Sequence, residues 1–202
     1  MISTPRAISA PAVAACVLWL LVIGVGLDRL WAFAQTPGPG ATAPGMWPAS
    51  SPLPRKNGLP TLVMFVHPQC SCSRASIGEL ALLMAHTQGR VAAHVIIYRP
   101  SDAEPEWEHT DLWTSAAAIP GVQVTSDEDA AEAAVFGVAV SGQTLLYDAA
   151  GQLTFSGGIT DARGHSGDNA GRSALLSLVN GRSSTVTRTP VFGCFLRGSL
   201  AS

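Results

Sequence analysis

Residues 61–80, TLVMFVHPQCSCSRASIGEL, constrain the fold of this chain more than any other segment. An apolar run ends at His67, and two cysteines, Cys70 and Cys72, follow at the predicted start of a helix. Unpaired amides at a helix start and the positive end of the helix dipole favour a thiolate over a thiol. A thiolate is both the nucleophile of disulfide exchange and a ligand for soft metals. The segment therefore predicts a redox centre or a metal site.

An uncharged apolar run covers residues 7–27. A helix of about 20 apolar residues crosses the hydrocarbon core of a membrane, so we predict a transmembrane anchor within residues 1–34. The alternative is a signal peptide, removed at an A-x-A pattern formed by residues 32–34. Either interpretation places the remainder of the chain outside the cytoplasm.

Composition divides the remainder into three parts. Residues 35–60 are rich in proline and glycine, which predicts an extended linker. Residues 61–180 suffice for one compact domain, and residues 181–202 form a C-terminal tail that carries Cys194. The net charge of -2 provides no basic surface for nucleic acid.

Short apolar runs alternate with helical patterns inside the domain. Residues 61–66 and 93–98 are apolar on both faces, which predicts parallel strands inside a covered sheet. Between them, residues 73–87 form an amphipathic helix that ends at Gly89, and its apolar face carries Ile77, Leu80, Leu83 and Met84.

The same patterns continue to the end of the domain. We predict a helix in residues 106–118, a strand at 122–125 and a helix in 127–137 with acidic residues on a solvated face. A hairpin then spans residues 144–158, and a closing helix in 167–181 is capped by Asp168. The predicted order is β-α-β-α-β-α-β-β-α, an α/β fold.

A strand leading into a cysteine-bearing helix start, a second βα pair and a terminal hairpin with a helix resemble the thioredoxin superfamily. The extra strand and helix before the hairpin are similar to its membrane-anchored TlpA-like branch. More narrowly, the words FVHPQCSCSRAS, SGQTLLYDAAGQLTFSGGIT, GHSGDNAGR and TPVFGC resemble a group of anchored bacterial proteins called RedB-like.

This resemblance implies a thioredoxin-like fold, with a central mixed sheet flanked by helices, behind an N-terminal transmembrane helix. It also implies a redox domain on a single-pass protein of the bacterial inner membrane, facing the periplasm or the cell exterior. Protein thiols or disulfides in that compartment are the expected partners.

Two departures from the thioredoxin pattern concern the active centre. Thioredoxins carry C-x-x-C, whereas this chain has Ser73 at the position of the second cysteine. Thioredoxins also place a cis-proline before the first hairpin strand, where this chain has Gly142 and Gln143. The missing proline weakens the expectation of disulfide exchange and leaves a metal site open.

The leading hypothesis is an exported, membrane-anchored thiol–disulfide oxidoreductase without a cofactor. Cys70 is the nucleophile, Cys72 is the resolving partner, and His67, at the end of the first strand, tunes the thiolate. Cys194 is a possible resolving thiol if the tail folds back, because three exported cysteines leave one unpaired.

Two other hypotheses remain open. One is a copper-binding or copper-delivery protein, because thiolates select Cu(I); its ligands would be Cys70 and Cys72 with His67, His165 or Cys194. The other is a redox-inactive interaction module, which buried cysteines would favour.

Overall fold

The computed structural model describes residues 9–197. The chain forms two units, Met1–Thr36 and Pro37–Ser202.

The first unit contains one helix, α1 (Ala10–Gln35), of 26 residues. Its length of about 39 Å follows from a rise of about 1.5 Å per residue. Its most apolar stretch has a mean hydropathy of 2.4, and the helix is long and apolar enough to cross a membrane. An N-terminal signal sequence meets the same criterion of length and composition.

A five-stranded mixed sheet forms the centre of the second unit. Its spatial order is β3-β2-β1-β4-β5. The pairs β1–β2 and β2–β3 are parallel, whereas β1–β4 and β4–β5 are antiparallel. The strands are β1 (Thr61–Val66), β2 (Ala92–Arg99), β3 (Val122–Glu128), β4 (Thr144–Tyr147) and β5 (Leu153–Gly157). The predicted order of elements is confirmed.

Alternation along β1 divides the core into two layers, because successive side chains of a strand face opposite sides of the sheet. Leu62, Met64 and Val66 pack in the layer that contains residues of α2 (Ser73–Thr87) and α5 (Ala170–Val179). Val63 and Phe65 pack in the opposite layer, with Phe136 and Tyr147. All six residues of β1 are buried, as the continuous apolar run predicts.

Helix α2 matches its prediction. The four apolar residues on its predicted face are buried. The helix ends at Gln88 and Gly89, both in the left-handed conformation, with φ of 46° and 80°.

The next two helices are shorter than predicted. Helix α3 (Asp111–Ala117) begins only where the Thr110 side chain accepts a hydrogen bond from the Leu112 amide. Helix α4 (Ala131–Val135) has five residues because β3 continues to Glu128. The prediction of a solvated acidic face is wrong for Asp127, which is buried and accepts hydrogen bonds from two amides of α4.

The N-cap of α5 also differs from the prediction by one residue. Asn169, rather than Asp168, accepts the hydrogen bond from the Arg172 amide. Asp168 instead forms an ion pair with the Arg172 side chain at 2.9 Å.

Residues 37–60 pack along the domain, which differs from the extended spacer that the sequence predicted. The Trp47 ring lies 5.2 Å from the rings of both Phe136 and Tyr147. The Tyr147 hydroxyl donates a hydrogen bond to the Pro44 carbonyl, and Leu53 is buried. The few apolar side chains of this proline-rich segment therefore attach it to the core.

The C-terminal segment also packs on the domain. The Ser156 amide of β5 donates to the Thr187 carbonyl, and the Gly158 amide donates to the Pro190 carbonyl. A Cβ atom on Gly158 would lie 2.6 Å from that Pro190 oxygen, so glycine makes room for the segment. Val191 and Leu196 are buried.

Candidate active site

Cys70 lies in the turn between the central strand and its helix. Its amide donates a hydrogen bond to the His67 carbonyl, and Cys72 is the N-cap of α2. Cys70 is therefore two residues outside the cap, so its thiol gains less from the helix dipole than the sequence suggested. The residue is only 1% exposed.

Ser73 replaces the second cysteine of the thioredoxin pattern and is hydrogen-bonded to Cys70. Its side chain forms a hydrogen bond with Cys70. The Ser73 hydroxyl also lies 2.5 Å from the Ser141 hydroxyl, which accepts a hydrogen bond from the His67 amide. A hydroxyl donor at a thiol stabilises the thiolate, so Ser73 supports the reactivity of Cys70 without being able to form a disulfide.

The C-terminal segment brings Cys194 to the same place. The Cys70 and Cys194 sulfur atoms are 3.0 Å apart and share a hydrogen bond. Cys194 is exposed as a residue, but its thiol faces the buried sulfur of Cys70. The sequence left open whether the tail folds back, and in the structure it does.

Backbone pairing holds Cys194 there. The Ser141 amide donates to the Cys194 carbonyl at 2.8 Å, and the Leu196 amide donates to the Ala139 carbonyl at 2.9 Å. Val140 and Phe195 form an antiparallel bridge between these two hydrogen bonds. Residues 139–141, just before β4, thus form a backbone edge on which residues 194–196 lie; we call it the docking edge.

The docking edge lies where thioredoxins carry the cis-proline. The described residues contain no cis peptide bond, and Gly142 has a φ of 88°. The Gly142 amide donates to the Phe65 carbonyl of β1 at 2.7 Å, which ties the docking edge to the central strand. The expected absence of proline therefore coincides with an edge that is occupied by the chain itself.

The three thiols have different acidities. The pKa of Cys70 is lowered: burial opposes ionisation, but hydrogen bonds from Ser73 and Cys194 outweigh it. The pKa of Cys72 is raised by burial and by the nearby charge of Cys70. Burial, together with the hydrogen bond and charge of Cys70, raises the pKa of Cys194 to about 12. Cys70 is thus the most acidic of the three thiols.

Arg163 is a site residue that the sequence analysis missed. Its guanidinium donates a hydrogen bond to the Gly193 carbonyl at 2.6 Å. It also hydrogen-bonds the Cys72 side chain, and its charge opposes the rise in the pKa of both Cys72 and Cys194. The only signal was its place in the glycine-rich loop after the hairpin, from which His165 was selected instead.

A buried acid fixes that loop to the cysteine-bearing helix. Glu79 of α2 is 1% exposed and accepts hydrogen bonds from the Gly167 amide at 2.8 Å and the Asn169 amide group at 3.3 Å. It also forms an ion pair with Arg172. Because α2 and α5 both hold the loop through Glu79, the position of Arg163 follows that of the helix carrying Cys72.

The His67 ring contacts an aromatic group. Its centroid lies 5.4 Å from Tyr98 and 5.8 Å from Trp107, and its Nδ1 atom accepts a hydrogen bond from the Gln69 amide at 3.2 Å. Burial lowers the pKa of His67, which favours a neutral ring. A neutral ring provides no positive charge to a thiolate, so the predicted tuning role rests on position alone.

His165, the other histidine of the copper hypothesis, is exposed. Within residues 9–197, no three His, Cys, Asp or Glu side chains are grouped so as to hold a metal ion.

Comparison with known proteins concerns the fold. No protein-family model matches the sequence, and no curated protein matches it. A hypothetical protein from Sinorhizobium meliloti 1021 has a similar structure, with a TM-score of 0.59, 22% identity, and coverage of 82% of this chain and 96% of that chain. For an uncharacterized conserved protein from Geobacillus kaustophilus the values are 0.58, 17%, 83% and 95%.

A secreted disulfide oxidoreductase from Mycobacterium tuberculosis also matches, with a TM-score of 0.42, 17% identity, and coverage of 62% of this chain and 83% of that chain. The fold is thioredoxin-like. The five-stranded mixed sheet flanked by helices confirms the predicted fold class, while the RedB-like resemblance stays a prediction. In this domain, residues 67–72 connect the central strand to α2 and carry both Cys70 and Cys72.

Proposed function

We propose that the protein is a membrane-anchored thiol–disulfide oxidoreductase that acts outside the cytoplasm on protein thiols or disulfides. The observation that carries this proposal is the Cys70 sulfur, whose pKa is lowered and which lies 3.0 Å from a second thiol. A thiolate with a neighbouring thiol can attack a disulfide and then be released from the product.

The reaction has two exchange steps. The Cys70 thiolate attacks one sulfur of a substrate disulfide, which forms a mixed disulfide and releases the other substrate sulfur as a thiolate. A second thiol of the protein, after losing its proton, attacks the Cys70 sulfur and releases the substrate. Two electrons pass from the protein dithiol to the substrate disulfide, and the reverse sequence transfers a disulfide to a substrate dithiol.

Cys72 and Cys194 are the two candidates for the second thiol. Cys72 is the partner that the sequence favours, and Arg163 beside it promotes its ionisation. Cys194 contacts the Cys70 sulfur directly. Oxidation can therefore join Cys70 to either Cys72 or Cys194, which are free thiols in the structure.

The localisation proposal rests on α1. A helix of this length and hydropathy at the N-terminus retains the protein in the membrane with the thioredoxin-like domain outside. Membrane fractionation and N-terminal sequencing test it, because a soluble product beginning near Gln35 would show a cleaved signal peptide instead.

The function is tested with the full-length reduced protein in detergent. We expect it to reduce insulin or glutathione disulfide and to end with one intramolecular disulfide that includes Cys70. In a Cys72→Ser and Cys194→Ser double variant the mixed disulfide with substrate should accumulate, and mass spectrometry identifies it.

Metal content is measured on the same preparation, purified without chelator. Stoichiometric copper that is lost on changing His67 or His165 would contradict the redox proposal in favour of a copper protein. A protein with neither metal nor a measurable Cys70 disulfide would support the interaction module.

A further inference from the structure

The C-terminal segment covers the atom that must react. Cys70 is 1% exposed, and its sulfur is in contact with Cys194. A disulfide sulfur must approach the thiolate closely before it can be attacked. The accessibility of the thiolate therefore limits the rate. Under the proposed function, a protein substrate reaches Cys70 only after residues 193–196 move away.

The contacts of this segment are those of an added strand. Two antiparallel backbone hydrogen bonds join it to the docking edge, one on each side of the Val140–Phe195 bridge. Addition of an extended peptide to an exposed strand edge is a general mode of peptide recognition. When the segment leaves, the Ser141 amide and the Ala139 carbonyl lose these partners beside the Cys70 thiol.

Side chains alternate along the segment as they do in a strand. Cys194 faces Cys70, Phe195 is 39% exposed, and Leu196 is 2% exposed in the apolar layer around Phe136. A segment that lies on the docking edge therefore meets the Cys70 thiol and, two residues farther along, an apolar site. The position between them, occupied by Phe195, places little restriction on the side chain.

Gly193 adds a steric requirement. A Cβ atom on this residue would overlap the Ser141 carbonyl oxygen of the docking edge. Only glycine fits at the position before the cysteine while the backbone pairing is kept. The site thus selects the pattern glycine, cysteine, any residue, apolar residue.

We propose that residues 193–196 are an internal stand-in for the substrate, occupying the docking edge that an extended Gly-Cys-x-apolar segment of a partner protein takes when the tail is displaced. This inference rests on the proposed function. The partner's segment pairs with residues 139–141 and presents its cysteine sulfur to Cys70.

The exchange balances without an added oxidant. When the partner carries a disulfide, the Cys70 thiolate bonds to its cysteine sulfur and the other sulfur leaves as a thiolate. In the second step the Cys194 thiolate bonds to the Cys70 sulfur and the partner's cysteine leaves as a thiolate, so the tail returns to the docking edge.

The test opens the docking edge with one methyl group. Gly193→Ala should displace the tail, and Gly40→Ala is the matched control because nothing lies within 4 Å of a Cβ atom at Gly40. Both variants are made in the full-length protein, reduced, in detergent. The rate of Cys70 alkylation by iodoacetamide is followed by mass spectrometry of each cysteine.

The substrate probes are two peptides with the sequence of residues 189–197, one with its natural glycine and one with alanine before the cysteine. Each carries its cysteine as a mixed disulfide with thionitrobenzoate, whose release by Cys70 is measured. The thionitrobenzoate thiol has the lower pKa, so it is the group that leaves.

We expect Gly193→Ala to raise the rate of Cys70 alkylation and the rate of thionitrobenzoate release by at least about tenfold. The loss of two backbone hydrogen bonds of about 1 kcal/mol each weakens tail binding by that factor or more. Gly40→Ala should match the wild type. The glycine peptide should react at least about tenfold faster than the alanine peptide, since the latter loses the same hydrogen bonds.

Each contrary result has a distinct meaning. A wild-type protein whose Cys70 attacks neither the peptides nor dithiobis(nitrobenzoate), the small symmetric disulfide of thionitrobenzoate, would contradict the proposed function itself. Attack on the small disulfide, with unchanged rates in a cooperatively melting Gly193→Ala variant, would overturn the stand-in role alone. If that variant does not melt cooperatively, the wild type decides, and lack of discrimination between the two peptides overturns the inference.

Discussion

The active site joins two segments that are built in different ways. Residues 61–87 form a continuous strand, turn and helix whose side chains belong to the core, and they hold Cys70 in a buried position. Residues 187–197 contain Cys194, which follows Cys70 by 124 positions in the sequence. They are held mainly by backbone hydrogen bonds to strand edges. Cys70 is fixed by the fold, and Cys194 is placed by a backbone-paired segment that we propose to be displaceable.

The chemistry of the two thiols follows this difference. Hydrogen bonds with Ser73 and Cys194 stabilise the ionised form of Cys70 and lower its pKa. Cys194 is next to a thiolate, and its pKa rises to about 12. This contrast assigns the attacking thiolate to residues 61–87. The C-terminal tail provides the second thiol or the cover over Cys70.

The largest expected effect tests this division of roles. Cys70→Ser should lower the rate of reaction with glutathione disulfide by at least about a hundredfold, because a hydroxyl is a weak nucleophile at its ordinary pKa. Cys194→Ser should keep the first attack within about threefold, since serine still donates a hydrogen bond worth about 1 kcal/mol to the thiolate. Stopped-flow measurement of thiol loss compares the two.

Cys16→Ser is the control, because Cys16 lies in α1 and outside the thioredoxin-like domain. Equal loss of rate in Cys70→Ser and Cys194→Ser would abolish the contrast between a fixed nucleophile and a displaceable partner.

The second effect concerns Arg163, which contacts both segments. Arg163→Met removes a charge that promotes ionisation of Cys72 and a hydrogen bond to the Gly193 carbonyl. We expect alkylation of Cys72 at pH 8 to slow several-fold, whereas alkylation of Cys70 accelerates because the tail is held less firmly. Mass spectrometry of the individual cysteines measures both rates.

Arg163→Lys is the matched control for charge. Lysine keeps the positive charge but lacks the forked donor that reaches two acceptors at once, so it should restore Cys72 reactivity more than it restores the cover on Cys70. Equal slowing of both thiols in Arg163→Met would argue for a merely structural role.

The same contrast separates what the sequence could predict from what it could not. Strand β1, helix α2 and their parallel partner β2 were predicted because each is encoded by a contiguous pattern of apolar residues. Cys70 was proposed as the nucleophile from the same contiguous pattern. The lengths of α3 and α4 were overestimated although their caps are local: Thr110 and Asp127 accept hydrogen bonds from amides two and five residues farther along, so each helix begins later than predicted.

Contacts between distant segments carried no local signal. Trp47 and Leu53 attach a proline-rich segment that composition alone assigned to a linker. Arg163 contacts Gly193 and Cys72, both far from it in the sequence, and the position of Cys194 depends on the docking edge. Gly158 and Gly193 were the available hints, because each is a glycine that makes room for another chain segment.

The third effect is in the order of ionisation. As pH rises from 6 to 9, the alkylation rate of Cys70 should level off first, because its pKa is lowered and its thiolate forms earliest. The rate for Cys72 should rise later, since its pKa is raised, and that for Cys194 should still be rising at pH 9. Coincident pH profiles would contradict the difference between the two segments.

The smallest effect is expected at His67, whose ring packs with Tyr98 and Trp107. Because burial lowers the pKa of His67, the ring is neutral where Cys70 reacts and adds no charge to stabilise the thiolate. His67→Phe preserves the aromatic packing, so the Cys70 alkylation rate at pH 7 should change by less than about threefold, the scale of losing one weak polar contact. A tenfold fall, with an inflection of the wild-type pH profile near the histidine pKa that the variant lacks, would instead establish that His67 tunes the nucleophile, as the sequence predicted. It would then show that the fixed segment controls reactivity through its turn as well as through Ser73 and the tail.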